Sequence, residues 1–513
     1  VARAANVNED GVTTENDFDA LPPDPSTLDG LFRVNVLRRP DAMALADPAD
    51  RAAITDGEPR TLTYAQAHRA VNALAAQFVS LGLLPGSVIG LQLPNTVESV
   101  IALLAASRAG LVPAPVPLLW RRAEAARGLA AVNAKALVVC GHVGATQHGE
   151  LALHTAADIF GLRFVCGFGS DLPDGIVPLD DIWEGGLGAF APFSHQTSDE
   201  TALITFDMGT EGPLPVARSH GELMAGGLAV MAESGLPRHA AIVGTMLASS
   251  FAVLATTTMP WLITGGALVL HHPFDAGRLS AQLADGHCDA VAAPGPLIGR
   301  LAEAGVLGDS AARVLAIWRS PERHADSAGW TGSALLTDVL AFGETGLVPL
   351  NRGSDGRPGA LKAGPVRAPS ASSDGAVVAT LARTPHGTLA LGGPIAPKSL
   401  RIAAPADLPI IPDLSGGESD QAAASAFPPP LPDAVDTGLP CRLDAATGLL
   451  TLTGGPPGLV SVGGYRFVMR ELENLVGRAQ ADGVLAALPD LLAGGRLAGR
   501  AADITAMRRA LEA

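Results

Sequence analysis

RTLTYAQAHRAVNALAAQFVSLGLLPGSVIGLQLPNTVESVIALLAASRAGLVPAPVP, residues 60–117, switches between two periods. Thr63 is placed to cap a helix in which Ala67, Val71, Leu74, Ala75 and Phe78 recur at spacings of three and four. Leu83-Leu84-Pro85-Gly86 turns the chain, and SVIGLQL reads as a buried strand. VESVIALLAASRAG is a second helix closed by Gly110, and LVPAPVP is the next strand-like run. The rhythm returns in GLAAVNAKALVVC, and later in HAAIVGTMLAS, TGGALVLHH, RLSAQLADGHCDAVAAPG and AARVLAIW. Such alternation implies mostly parallel sheets covered by helices on both faces.

Outside this core the texture changes. Residues 1–30 read as a loosely ordered lead-in without the apolar segment of a signal peptide. From about residue 350 come short β-like pieces such as GAVVATLA and GTLALGGP, punctuated by Gly and Pro. Residues 412–436 have linker composition. The end, 455–513, offers a hairpin-like stretch and then helices, with ITAMRRALEA as an amphipathic last helix. The expected class is therefore α/β. A large N-terminal domain of mixed and parallel sheets flanked by helices covers 31–454, with a β-rich subdomain over about 350–454. A small, shortened α+β C-terminal domain follows.

Bulk properties narrow the partners. At 513 residues, 48% hydrophobic and 17% charged, the chain suits large cores built from Ala, Leu and Val. A net charge of −16 repels nucleic acid, and no basic stripe with interleaved aromatics relieves it. Apolar runs are too short and too broken by Pro and Arg to span a bilayer, so a cytoplasmic protein is expected. Cys140, Cys166, Cys288 and Cys441 lie far apart with no metal-ligand spacing, and are expected as reduced thiols.

A second stretch, ITFDMGTEGPLPVARSH at 204–220, has the layout of a loop that cradles a phosphate: strand, glycine-bearing turn, then the opening of a helix. It nevertheless holds two carboxylates, Asp207 and Glu211, and no lysine.

Taken in order, these stretches resemble the adenylate-forming family of acyl-CoA synthetases, peptide-synthetase adenylation domains and luciferases. The resemblance covers roughly residues 30–475. ITFDMGTEGPLPVARSH sits at the family's Ser/Thr/Gly-rich ATP loop, and AFGETG at its Tyr-Gly-x-Thr-Glu segment. DTGLPCRLDAATGLLTLTGGPPGLVSVGGYRFVMRELE spans its Thr-Gly-Asp strand, its hinge and the start of its C-terminal lid. The resemblance implies a two-step activity, in which a carboxylate first becomes an acyl-adenylate at the expense of ATP. A thiol such as CoA then displaces AMP, with the lid rotating between the steps. Such chemistry needs cations around the triphosphate and donors where charge develops.

Residue by residue, those needs are not met. In the loop Gly209, Thr210 and Gly212 persist, but Asp207, Met208 and Glu211 replace hydroxyl residues. The segment is one residue shorter, and the lysine has no counterpart. One like-charge pair at about 4 Å costs about 1 kcal/mol in water and about 4 kcal/mol at an effective dielectric near 20. In AFGETG, Phe342, Gly343 and Thr345 fit. The metal-binding glutamate is replaced by Gly346, and Glu344, two residues early, is expected to point elsewhere. Thr437 and Gly438 remain from the ribose site, where the aspartate has become Leu439. The hinge reads Gly454-Gly455-Pro456-Pro457, with Pro457 fixing φ where the family swings a torsion. The lid keeps Gly464-Tyr465-Arg466. The tail to Ala513 does not resemble the family's C-terminal lysine motif.

Other candidates are weaker. Arg218 and His220 are expected to be structural or to line the cleft, and Ser219/His220 do not form a nucleophile pair. Trp318 and Arg319 stand where the family contacts adenine, and fill that slot or lie on the surface. Ser249, Ser250, Phe251 and Val253 occupy the acyl-pocket position, as an open cavity or as a plug. The expectation is a degenerate family member, binding an acyl or CoA-like molecule or a protein partner, with no resident metal. ATP, Mg and CoA enter only if an active carboxylate–CoA ligase with rewired contacts is the correct alternative.

Overall fold

The computed structural model describes residues 23–184, 196–272, 274–285, 288–307, 311–369, 375–398, 434–478, 483–490, 494–501 and 503–506. The expectations on residues 1–22, on 412–433 and on the last seven residues lie outside these.

Two helix-covered sheets form the large domain, as the alternation at 60–117 requires. The larger has eight strands in the spatial order Leu347–Asn351, Leu335–Ala341, Ala311–Trp318, Cys288–Pro294, Ala241–Gly244, Ala267–Leu270, Met43–Ala46, Thr61–Thr63. Its six central strands run parallel, and only the two edges are antiparallel. The second sheet is wholly parallel, in the order Val112–Pro115, Val88–Gln92, Ala136–Cys140, Phe164–Phe168, Val177–Pro178. Near-continuous apolar strands such as Ala136–Cys140, buried at every position, are what burial on both faces demands.

Local signals act where the sequence places them. Thr63 caps the helix Tyr64–Ser80 and forms a reciprocal capping box with Gln66. Gly110, at φ 71°, follows the helix Val97–Arg108 in the left-handed region. The β-rich subdomain is a five-stranded antiparallel sheet running from Gly364–Arg367 to Leu450–Leu452. All four cysteines are free. Among the described residues, no helix is long and apolar enough to cross a membrane.

Three boundaries differ from expectation. Order begins inside 1–30, because Thr27 caps a helix over Leu28–Arg38. Val435 and Asp436, read as linker, open the strand Val435–Leu443. The C-terminal part starts with the hairpin Leu459–Val462/Tyr465–Val468 and the helix Met469–Arg478. A second hairpin, Gly483–Asp490/Gly494–Ala501, then stands where helices were expected. Its Ala and Leu content suggests a helix, but Pro489 and the Gly494-Gly495 pair disfavour one.

A charge-paired cleft at the candidate site

The stretch read as a phosphate loop is a β-hairpin. Thr201–Gly209 pairs with Gly212–Ser219 down to Gly209↔Gly212, leaving only Thr210 and Glu211 in the turn. The helix His220–Ser234 does follow, but eight residues of strand separate it from the turn. Ser219 caps that helix in a box with Glu222, and His220 Nδ1 accepts from the Leu28 N–H. Burial holds His220 down to about 4. Both residues are therefore structural. Pro213 and Pro215 have no N–H to offer a phosphate.

Strand alternation decides where Asp207 goes. Ile204, Phe206 and Met208 pack towards the smaller sheet, with Phe206 against Trp120 at 5.3 Å between ring centres. Leu203 belongs to the main core on the other side, and a period of two sends Asp207 the same way. There Asp207 Oδ2 accepts from the Glu344 N–H at 2.8 Å, and Oδ1 accepts from Arg466 Nη1 at 2.8 Å. The ion pair is largely shielded, with side-chain exposures of 15% and 9%. Gly343 makes room for it: at φ 61°, a Cβ there would lie 2.1 Å from Asp207 Oδ2 and 2.6 Å from Arg466 Nη1.

Glu344 corrects an expectation. Rather than pointing away, it lines the cleft wall fully buried, and its Oε2 accepts from the Phe251 N–H at 2.7 Å. Burial raises its pKa, and the neighbouring Asp207 raises it further. Arg218 holds the same turn from behind. It donates to the carbonyls of Glu344 and of Ile395, the latter at 2.9 Å, and its guanidinium lies 3.4 Å from the Phe251 ring centre. Desolvation lowers Arg218 to about 10, so it stays a cation at neutral pH.

Contacts from the C-terminal part continue outward. Arg470 reaches Glu211 at 3.4 Å, and Arg127 pairs with Glu471 at 2.6 Å. Arg319 lies over the Tyr465 ring at 4.8 Å, while Gly464, at φ 80°, lets the turn wrap around its side chain. The sequence reading missed this network, although a signal exists. Asp207 and Glu211 are four residues apart, and so are Arg466 and Arg470, with opposite charge.

The remaining candidates divide. Gly343, Ser250, Gly464, Tyr465, Arg466, Asp207 and Met208 border one residual cavity of about 40 Å³. At about 10–15 Å³ per water, that holds a few waters. Ser250 Oγ is buried there without a protein partner. Ser249 lines a separate apolar cavity of about 30 Å³, whereas Phe251 and Val253 are fully buried in the core. Phe342 is core, and Thr345 is buried in the turn. Thr437 donates to the Leu389 carbonyl and Gly438 sits at φ 69° within the β-rich sheet, away from the cavity lining. Thr210 and Gly212 are at the hairpin tip, where Gly212 admits Arg127: a Cβ would lie 3.0 Å from its Nη1. Pro457 is exposed just before the Leu459–Val462 strand. Trp318 and Arg319 separate, Arg319 into the cleft and Trp318 into a cavity behind it.

A Cβ at Gly346 would lie 2.8 Å from Leu391 Cδ2, so a side chain there would require that leucine to shift. Leu439 is fully buried in the core. Carboxylates at 207 and 211, a closed ladder, and apolar contacts at 346 and 439 do not suit a magnesium triphosphate.

Comparison with known proteins fixes the lineage. The salicyl-AMP ligase / salicyl-S-ArCP synthetase of Mycobacterium tuberculosis is 32% identical over 196 residues, 38% of this chain and 33% of that protein. The match thus spans about a third of that relative's length. A salicylyl-CoA synthase / salicylate adenylyltransferase of Streptomyces is 27% identical over 470 residues, 86% of this chain and 80% of its own. The solved structure of the amide bond synthetase McbA from Marinactinospora thermotolerans superposes with a TM-score of 0.63 at 18% identity, covering 94% of this chain and 92% of that one. The family model described as AMP-binding enzyme matches residues 33–341, well over half of the sequence. The chain belongs to the AMP-binding enzyme family.

Proposed function

We propose that this chain is an acyl-CoA synthetase-like protein in which carboxylate adenylation is lost or greatly weakened, and which acts as a binding or regulatory protein. The observation that carries the reading is Asp207. By the resemblance read from the sequence its carboxylate stands where the family grips phosphate, and in the fold it is held by Arg466 and the Glu344 N–H. Arg466 and the Glu344 N–H are thereby satisfied internally, and an incoming phosphate would meet an anion. The Gly346 and Leu439 environments support the same reading from two other sides of the nucleotide site.

A second reading is an active carboxylate–CoA ligase with rewired ATP contacts. Two observations favour it: Arg319 and Arg466 both border the cleft, and the relatives above carry ligase and adenylyltransferase names. ATP, Mg and CoA belong to this second reading alone.

Titration calorimetry with MgATP, run beside an active family member, separates the two. No heat of binding from folded protein, and no salicylate-dependent exchange of pyrophosphate into ATP, is the expected result. Tight MgATP binding with exchange would establish the active ligase instead. An acyl ligand or protein partner for the binding role is then sought with the cleft intact and with Asp207→Asn.

A further inference from the structure

A further cavity lies outside the cleft just described. It measures about 380 Å³, within the range of about 300–1,000 Å³ occupied by small-molecule pockets. Its origin is topological. The strands Cys288–Pro294, Ala311–Trp318 and Leu335–Ala341 are mutually parallel, so each pair needs a crossover, which normally lays a helix on the sheet. The first crossover supplies only the six-residue helix Ile298–Glu303 after a 3-10 turn. The second, 319–334, contains one 3-10 turn, Pro321–Asp326, and no α-helix. One patch of sheet face is left thinly covered, and Leu336 and Trp318 open onto the gap.

Its walls are fixed rather than collapsed. Trp318 donates Nε1 to Asp338 Oδ1 at 2.7 Å, and Trp330 donates Nε1 to the Ala334 carbonyl at 2.8 Å. Each indole is also pressed against a glycine. A Cβ on Gly295 would lie 2.5 Å from Trp318, and one on Gly332 would lie 2.3 Å from Trp330. With both N–H groups committed, rings and edges are what remain for a ligand; Trp318 is buried, with His324 edge-on at 5.4 Å, so the half-buried Trp330 is the more accessible of the two. Three arginines, Arg300, Arg323 and Arg352, border the space against a single carboxylate, Glu303. Arg352 is held by Asp338, and Arg300 lies at the exposed rim, 3.4 Å from Glu303. A guanidinium carries five N–H donors, so an arginine that keeps one carboxylate partner can still meet a second anion.

We infer that this cavity is a binding site for a small planar aromatic anion, its rings against Trp318 and Trp330 and its charge towards the arginine rim. Rigid aromatic walls lower the ordering cost of binding, and the cationic rim selects anions over neutral aromatics. The site is independent of the cleft and of the reading given for it. Arg319 faces the cleft and Trp318 the cavity, so neighbouring residues on one chain separate the two.

The probe is 2-naphthoate, titrated by calorimetry into the full-length protein. Saturable one-to-one binding is expected. Gly299→Phe should weaken it at least tenfold: the substitution grows into the cavity from a position with no atom within 4 Å of its Cβ. It also replaces a helical glycine, so loss of fold is not its expected effect. Trp330→Ala should weaken binding similarly, and Arg300→Glu several-fold. Neutral 2-naphthalenemethanol should bind at least tenfold less tightly than naphthoate. Absence of saturable binding overturns the inference. So does binding that survives Gly299→Phe and Trp330→Ala but is lost in Arg466→Ala, since that ligand sits in the cleft. Equal binding of the alcohol overturns the selectivity for anions.

Discussion

Two arginines meet the Gly343-Glu344 turn from opposite sides, and they are held in different ways. Arg218 is fully buried, its charge spread over two carbonyl oxygens and the Phe251 ring, with desolvation lowering it to about 10. Arg466 comes from the C-terminal part of the chain and meets a carboxylate, Asp207, at 9% exposure. The first joins elements of one core and has no water to exchange with. The second crosses between parts that touch through side chains, and its partner is an acid placed there by a shortened turn. Buried neutral acceptors make a permanent joint, whereas a carboxylate–guanidinium pair at the edge of a small cavity makes one that an anion can contest.

Substitutions that weaken each joint sharpen this contrast. Arg218→Ala is expected to cost most, on the order of 3 kcal/mol in urea denaturation, because it strips the Glu344 and Ile395 carbonyls and opens a cavity beside Phe251. A loss below about 1 kcal/mol would remove the distinction. Next comes the Asp207→Ala, Arg466→Ala cycle, with a coupling of about 1–2 kcal/mol. Gly343→Ala should lose a similar amount, since its Cβ would enter the pair at φ 61°. Additive single losses in the cycle would mean that the two side chains are merely adjacent.

A pH series probes the permanent side. His220, buried to about 4 in the fold against an ordinary value of 6.5, is neutral where the unfolded chain takes up a proton. Stability should therefore fall as pH drops from about 6.5 towards about 4. His220→Gln, which keeps an acceptor for the Leu28 N–H, should flatten that slope in urea midpoints. An unchanged slope would assign the acid sensitivity to other groups, such as His68, which burial lowers to about 3. The smallest effect is expected from Glu211→Ala. Its pair with Arg470 is exposed, at 84% and 68%, and the change should stay within about 0.5 kcal/mol.

The joints also separate what can be read in a sequence from what cannot. Thr63, Gly110 and the apolar spacing of residues 67–78 act within a few residues of themselves, so the parallel layers are legible. The hairpin is not. Strand, glycine and helix opening all occur in the expected order, but whether 210–212 forms an open loop or a two-residue turn depends on pairing with Gly212–Ser219. Asp207 was legible as an anion in the wrong place for phosphate. Its partner stands 259 positions away, and only the matched four-residue spacing of 207/211 with 466/470 hints at it. In the sequence, the two-residue offset of Glu344 from the expected position points it out of the cleft. The positive φ of Gly343 turns it back in. The cavity behind Trp318 had no signature beyond a crossover without helical spacing.

The two-residue turn at the hairpin tip carries a consequence for substitution. Side chains on a strand alternate faces, so an insertion that slipped the ladder register by one residue would send Asp207 to the other side. Such a slip would break the Arg466 contact and would have to unzip a ladder reaching Gly209↔Gly212. Single substitutions at 207 or 211 remove charge but leave the turn closed. Exchange of one residue for another therefore does not open the hairpin into a loop, whereas a change of length and of pairing together does.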